Sequence, residues 1–186
     1  ARELIPEPGV APGGDDLQFG REAGGGQLAK GWNTGIREAQ KLGCEYVLIL
    51  NQDIILRQDA IDKIVSFALT TPPDVVMWTM GQYGSIVTLN SCVPGNEFSE
   101  HPNFSAFLIK SDFLDVMGNF DENFIPAYME DNDMHIRIAL SNKKALVYGG
   151  ALFFHFGSRT VGVDPVLSSE VAGMFKTNGE YFRMKW

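Results

Sequence analysis

The chain has 186 residues, of which 45% are hydrophobic, and its formal net charge is −8. This length and composition suffice for one core of normal size, whereas two domains would each be undersized. Affinity for nucleic acids comes from many Lys and Arg contacts to phosphates, so the negative charge argues against a nucleic-acid partner. An acidic protein can still bind a diphosphate if some of its carboxylates recruit a divalent cation.

The sequence predicts a cytoplasmic protein without a transmembrane segment. Its longest apolar runs, 46–50 and 151–156, are far shorter than the roughly 20 residues of a membrane helix. No basic segment followed by an apolar one opens the chain, so nothing in it supports secretion, although a leader before Ala1 could have been removed. Cys44 and Cys92 lack the spacing of a metal or redox motif, and we expect both in the core as small apolar side chains.

The first third of the chain shows a loop, a helix and a strand. Residues 1–28 are rich in Gly and Pro and are predicted to form a loop. Apolar residues at helical spacing over 29–42, followed by Gly43, indicate a helix and its C-terminal stop. The continuous apolar run 46–50 has the length and composition of a strand buried on both faces of a sheet.

The remaining elements follow from the same periodicities and from cap residues. Asp59 is placed to cap a second helix, which the prolines at 72–73 end, and Ser111 to cap a short helix ended by Gly118. A further helix over 130–140 begins with acidic residues. Strands are predicted at 75–79, 85–89, 104–109, 144–148 and 152–156, and a helical tail at 168–186.

The order of elements, α, β, α, β, β, β, α, α, β, β, α, predicts an α/β fold in which a mixed sheet is flanked by helices. We assign residues 1–186 to a single domain, with the core at 29–160 and a C-terminal helical segment at 161–186.

Two candidate metal ligands lie where predicted strands end, at the edge where ligands collect in α/β sheets. Asp53 comes directly after the run 46–50, so its carboxylate is expected at the carboxyl edge of the sheet, placed to hold a cation. An aspartate at such a position is also a common turn or cap residue. His155 lies in the apolar run 152–156, ahead of a small polar loop, and is either a ligand or a hydrogen-bonded core residue.

The helix start at Glu130, Asp131 and Asp133 brings three carboxylates within four residues. Acids in a first helical turn stabilise the helix, but one capping acid would satisfy the backbone and like charges repel. The positive end of the helix keeps Asp131 ionised, as a general base must be. These observations are compatible with metal binding and with proton abstraction by the carboxylates at this helix start.

The order of these motifs resembles glycosyltransferase family 2, the inverting enzymes of the GT-A fold, and especially its rhamnosyl- and galactofuranosyl-transferring branch. The resemblance covers most of the chain. It is carried by Asn33-Thr-Gly35, the segment 46–53, the segments 104–110 and 116–122, Tyr128-Met-Glu-Asp-Asn-Asp133, His155-Phe-Gly-Ser158 and Lys185-Trp186.

The resemblance implies a GT-A-like fold and a metal-assisted transfer from a nucleotide-sugar donor to a carbohydrate or glycan acceptor. Asp53 and His155 would bind Mn²⁺ or Mg²⁺, which bridges the donor phosphates. Asp131 matches the catalytic base that takes the proton of the acceptor hydroxyl, with inversion at the anomeric carbon. Glu130 and Asp133 would orient the acceptor or the base.

Three further residues complete the predicted substrate site. Arg159, in the loop after the metal histidine, is placed by its charge to contact a phosphate or the acceptor. Asn33 and Asn51 are assigned to substrate binding, because they lie in segments that carry the resemblance.

The chain also departs from the family pattern. Nothing before Leu28 resembles the strand, helix and strand that bind the nucleobase and ribose in the family, so either this unit lies outside this sequence or the donor pocket is built differently. The run Asn51-Gln52-Asp53 offers one carboxylate where many relatives have two or three, and weaker metal affinity is the expected consequence.

Two alternatives stay open. One is a degenerate GT-A fold that binds a carbohydrate or a protein without turnover, which the missing unit favours. The other is a metal-dependent hydrolase or nucleotidyltransferase that uses the same carboxylates.

Overall fold

The computed structural model describes residues 27–91, 104–157 and 165–186. The predicted α/β arrangement is confirmed: one five-stranded mixed sheet is flanked by helices. Within the described ranges, no helix is both long and apolar enough to cross a membrane. The elements are α1 Leu28–Lys41, β1 Tyr46–Leu50, β2 Ile54–Leu56, α2 Ala60–Ala68, β3 Val75–Gln82, β4 Ala106–Lys110, α3 Ser111–Met117, α4 Glu130–Leu140, β5 Lys144–His155 and α5 Pro165–Lys185.

The strand order β1-β4-β3-β5-β2 determines which chain ends meet. β3 and β5 are parallel, while the pairs β1 with β4, β4 with β3, and β5 with β2 are antiparallel. The carboxyl ends of β1, β3 and β5 therefore share one edge of the sheet with the amino ends of β4 and β2. We call it the carboxyl edge. Residues 51–53, 105 and 155 all lie there.

Both faces of the sheet are covered by helices. α1, α3 and α4 pack on one face, and α2 packs on the other. Strand β4 shows why, since Phe107 and Ile109 point to the first cluster and Leu108 to the second, as the period of two in a strand requires. Full burial of such an apolar side chain stabilises the fold by about 1.5–3 kcal/mol, so the apolar residues of this one strand hold both layers together.

The strand predicted at 85–89 is wrong, because this segment forms turns. Only Leu89 is buried there, whereas Ile86 and Val87 are exposed. The hydroxyl of Ser91 and its backbone N–H both donate to the carbonyl of Thr88, which closes a turn. The apolar composition of the segment indicated a strand, but the described part of the chain provides it with no neighbour in the sheet.

The two strands predicted at 144–148 and 152–156 are one continuous strand, β5. Its register to β3 shifts between the pairs Met80↔Tyr148 and Gly81↔Leu152, so the strand bulges instead of ending at its glycines. A Cβ at Gly150 would overlap the ring of Tyr148. That ring stacks on Phe67 of α2, and glycine at 150 leaves room for it.

Strand β1 is present as predicted, but not with both faces buried. Among the described residues it pairs only with β4, and its alternating exposure leaves Val47 and Ile49 buried while Leu50 is exposed. A continuous apolar run does not distinguish an inner strand from an outer one. The short strand β2 has no counterpart in the prediction, since three residues are too few for a periodicity.

Three local predictions need correction. Asp59 precedes α2 as expected, but its carboxylate makes no cap hydrogen bond and pairs instead with Arg57 and Lys63. Ser111 is the first residue of α3, and its hydroxyl donates to the carbonyl of Cys44. Cys44 is exposed rather than in the core, because it lies in the turn between α1 and β1. Cys92 and the predicted loop 1–26 lie outside the described residues.

Candidate functional site

Asp53 and His155 meet at the carboxyl edge. Asp53 lies in the turn between β1 and β2, and His155 is the last residue of β5. The antiparallel register pairs Ile54 with His155, and the N–H of Phe156 donates to the carbonyl of Asp53. As a result Nε2 of His155 lies 3.0 Å from Oδ2 of Asp53, although the two residues are 102 positions apart.

Ser105 joins this pair and was not predicted from the sequence. Its Oγ lies 3.4 Å from Nδ1 of His155, on the side of the ring away from Asp53. Its carbonyl accepts from the N–H of Asn51 at 2.8 Å, which ties the start of β4 to the end of β1. The only signal in the sequence was its position at the beginning of a predicted strand. A serine there carries no pattern of its own.

The side chains at this edge fit a divalent cation. Carboxylate oxygens suit Mn²⁺ and Mg²⁺, and the neutral imidazole of histidine is the commonest metal ligand among side chains. His155 and Asp53 are hydrogen-bonded at 3.0 Å, and this is also the spacing, about 3 Å, of neighbouring ligand atoms that each lie about 2.1 Å from an octahedral ion. In the same turn, the buried Oδ1 of Asn51 has no hydrogen-bond partner within the protein.

The protein itself offers few ligands. Within the described ranges no group of three His, Cys, Asp or Glu side chains converges on a point. The carboxylate of Asp53 is 44% exposed and the ring of His155 is 19% exposed, so both are open to solvent and to a ligand. A cation here would complete its shell with water or with oxygens of a bound substrate.

The acidic helix start is preceded by an unusual turn. The backbone angle φ is positive at both Tyr128 and Met129, 80° and 77°, and residues other than glycine rarely adopt such values. Glu130 follows and is 4% exposed. Burial, together with the neighbouring Asp131 carboxylate, raises the pKa of Glu130 to about 7. Its Oε2 has no hydrogen-bond partner within the protein.

Asp131 differs from Glu130 in its surroundings. It is partly exposed, and its Oδ1 accepts the backbone N–H of Asn132 at 2.7 Å. It also lies in the first turn of α4, whose free N–H groups favour a negative charge. One turn further along, the ring of His135 packs edge to face on Phe104 at 5.0 Å. Since Phe104 precedes Ser105, this contact brings the first turns of α4 beside the carboxyl edge.

Asp133 is part of the core instead of facing a substrate. It is fully buried, and its Oδ2 lies 2.9 Å from Nε of Arg137. Its Oδ1 accepts from Nζ of Lys185 at 2.6 Å and from Nε1 of Trp186 at 3.0 Å. In place of the predicted contact to the acceptor, Asp133 joins α4 to the end of α5.

Asn33 also has a structural position. Its side chain is buried, Nδ2 donates to the carbonyl of Phe120 and to Oε1 of Glu122, and Oδ1 accepts the N–H of Phe120. The amide of Asn33 therefore holds the loop after α3 against α1, where a substrate contact was predicted. Arg159, also assigned to substrate binding, lies outside the described residues.

The pKa of Glu130 predicts a dependence of stability on pH. The pKa of Glu130 in the folded protein is above the usual 4.5, so the folded state binds its proton more tightly than the unfolded state does. The stability that this proton contributes is fully present below pH 4.5 and is lost as the pH rises through about 7. The Glu130→Gln variant lacks this titration. We expect its free energy of unfolding, relative to that of the wild type, to rise by up to about 3 kcal/mol between pH 4.5 and 8. Urea unfolding of both proteins across this range measures the difference, and parallel curves would contradict the assignment.

No protein-family model matches the chain, and none of the curated proteins matches it by sequence. Among solved structures, the chain is similar to a glycosyltransferase involved in the glycosylation of the major capsid of PBCV-1. The similarity has a TM-score of 0.42 with 17% sequence identity, and it covers 79% of each chain.

Proposed function

We propose that the protein is an inverting glycosyltransferase, which transfers a sugar from a nucleotide-diphosphate sugar to the hydroxyl of a carbohydrate acceptor. The observation that supports this most is the 3.0 Å approach of His155 Nε2 to Asp53 Oδ2. These are the two residues that the resemblance to glycosyltransferase family 2 assigns to one metal ion, and the fold brings them together from distant parts of the chain.

Asp53 and His155 would hold Mn²⁺ or Mg²⁺. When bound, the cation neutralises the donor phosphates and stabilises the leaving nucleoside diphosphate. The contact between Ser105 Oγ and Nδ1 orients the imidazole of His155, as outer partners of metal-binding histidines commonly do. The amide oxygen of Asn51, buried without a partner, is available for a water or a donor oxygen.

Asp131 serves as the general base. The acceptor oxygen attacks the anomeric carbon, the bond from that carbon to the phosphate oxygen breaks, and the acceptor proton passes to the Asp131 carboxylate. Attack from the face opposite the leaving group inverts the configuration. Partial exposure of Asp131 lets the acceptor reach it, and its place in the first turn of α4 puts it at the positive end of the helix dipole.

Glu130 supports this assignment through its protonation. Its pKa of about 7 keeps a large share of it neutral at neutral pH. When Glu130 is protonated, it places no further negative charge beside the Asp131 carboxylate. Glu130 thereby influences the charge around the Asp131 base without itself taking the acceptor proton.

Arg159 stays a predicted contact for a phosphate or the acceptor.

Incubation of the protein with Mn²⁺, a panel of nucleotide sugars and a panel of sugar acceptors tests the proposal. Release of nucleoside diphosphate that increases with acceptor, together with a glycosylated product of inverted configuration, is the expected result. Donor binding without release would favour a binding module. Release of a nucleoside monophosphate, or turnover that no acceptor accelerates, would favour a hydrolase.

The Asp53→Ala variant should lose the metal dependence of donor binding. We expect the affinity for Mn²⁺ and for the donor in its presence to fall by about 10- to 100-fold, since one of two protein ligands is removed. Calorimetric titration with Mn²⁺, and then with nucleoside diphosphate, measures both. Asp62→Ala removes an exposed carboxylate on α2 and serves as the matched control. Equal losses in the two variants would contradict the site.

A further inference from the structure

The turn that leads into α4 needs support from elsewhere in the fold. Tyr128 and Met129 both have positive φ although neither is glycine, and they directly precede Glu130 and Asp131. Such backbone conformations persist only where the surrounding structure holds them. A small rotation in this turn would redirect both carboxylates.

Helix α5 supplies contacts to this turn. Asn178 is 3% exposed, and its Nδ2 donates to the carbonyl of Ala127 at 2.8 Å and to that of Tyr128 at 3.2 Å. One amide therefore pins two consecutive peptide groups just before the helix. The ring of Phe175, one turn earlier on α5, stacks on that of Tyr128 with their centroids 4.1 Å apart.

The end of α5 holds the first turn of α4 from the other side. Nζ of Lys185 lies 2.6 Å from Oδ2 of Asp121 and 2.6 Å from Oδ1 of Asp133. Tyr181 adds a hydrogen bond to Asp121. Burial raises the pKa of Asp121, but the hydrogen bonds from Lys185, Asn123 and Tyr181 lower it to about 2, so the Asp121 carboxylate that Lys185 contacts is ionised at neutral pH.

We propose that α5 is a positioning element for the catalytic acids, and that Asn178 and Lys185 are its positioning residues. Asn178 fixes the turn at Ala127 and Tyr128, and Lys185 fixes the first turn of α4 through Asp133. Neither residue needs to touch a substrate. The inference rests on the proposed function in so far as Glu130 and Asp131 act on an acceptor.

The kinetic test uses the full chain with Asn178→Leu, which keeps the side-chain volume and removes both donors, and with Lys185→Met. Misplacing a catalytic group by about 1 Å can cost on the order of 100-fold in rate, so we expect kcat to fall by about 10- to 100-fold in each. The donor KM should stay unchanged, because Asp53 and His155 lie on the sheet and not on α4. Lys185→Arg should restore most of kcat, and Lys176→Met, an equal loss of charge at an exposed position of α5, should have no effect.

Hydrogen exchange of the amides of residues 128–133 provides a readout that does not depend on activity. We expect faster exchange there in Asn178→Leu and Lys185→Met, with the amides of β3 and β4 unchanged. Wild-type exchange in both variants would overturn the inference, whether or not the protein transfers sugars. Faster exchange with unchanged kcat would overturn it as well. If the wild-type protein transfers no sugar, but both variants still exchange the amides of residues 128–133 faster than it does, the proposed function is refuted. The support that α5 gives to the turn at 127–129 would then stand on its own.

Discussion

Replacing Asp131 with asparagine should reduce sugar transfer by about 10²- to 10⁴-fold, the contribution of a positioned general base. Asparagine keeps the shape of the side chain and an oxygen for the N–H of Asn132, but it cannot take a proton. Donor binding in the presence of Mn²⁺ should stay at the wild-type level. Release of nucleoside diphosphate at saturating donor and acceptor measures the first effect, and calorimetry measures the second.

Two further variants make this experiment specific. Asp115→Asn removes an exposed carboxylate on α3, which bonds only Gln40 among the contacts described, and should leave transfer unchanged. Glu130→Gln should lower the rate less than Asp131→Asn does, because a Glu130 pKa of about 7 already leaves a large share of this side chain neutral at neutral pH. If Asp131→Asn is fully active while Glu130→Gln is inactive, the base is Glu130 and our assignment is refuted.

Replacing Asp133 with alanine should lower the free energy of unfolding by about 3–5 kcal/mol, the usual cost of removing one partner of a buried ion pair. The carboxylate is fully buried, and its loss leaves Arg137 and Lys185 without their shared anion. It also removes the acceptor of the Trp186 indole N–H. Urea unfolding monitored by circular dichroism gives the difference.

The control for Asp133 is an ion pair at the surface. Asp74 pairs with Lys144, but their side chains are 37% and 63% exposed, so Asp74→Ala should change stability far less. A loss of stability in Asp133→Ala no larger than in Asp74→Ala would show that the buried cluster contributes little. High salt should reduce the small effect at Asp74 and leave the effect at Asp133 nearly unchanged.

Much of the architecture could be predicted because helices and strands obey local rules. The spacing of Trp32 and Ile36 indicated α1, the apolar run 46–50 indicated β1, and the acids at 130–133 indicated the start of α4. The failures occurred where a neighbour in space decides. The apolar segment 85–89 forms turns, and β5 continues through its glycines because β3 runs beside it.

The candidate site divides in the same way. Asp53 and His155 could be singled out, because each lies where a predicted strand ends, but Ser105 could not, since its relevance comes only from its distance to the histidine ring. Three acids at the start of α4 looked alike in the sequence. Packing makes their surroundings different. Glu130 is buried and has a raised pKa, Asp131 is partly exposed, and Asp133 is buried in ion pairs with Arg137 of α4 and Lys185 of α5.

By itself the sequence determined the helices and most strands, the acidic character, and which polar residues follow strands or begin helices, because each of these is a property of neighbouring residues. Only the tertiary structure decided which carboxylates face solvent and which are buried or held in ion pairs. It alone also brought Asp53 and His155 to within 3.0 Å of each other. The physical reason is that burial and ion pairing depend on segments that are distant along the chain, and these meet only when the sheet and its helices have packed.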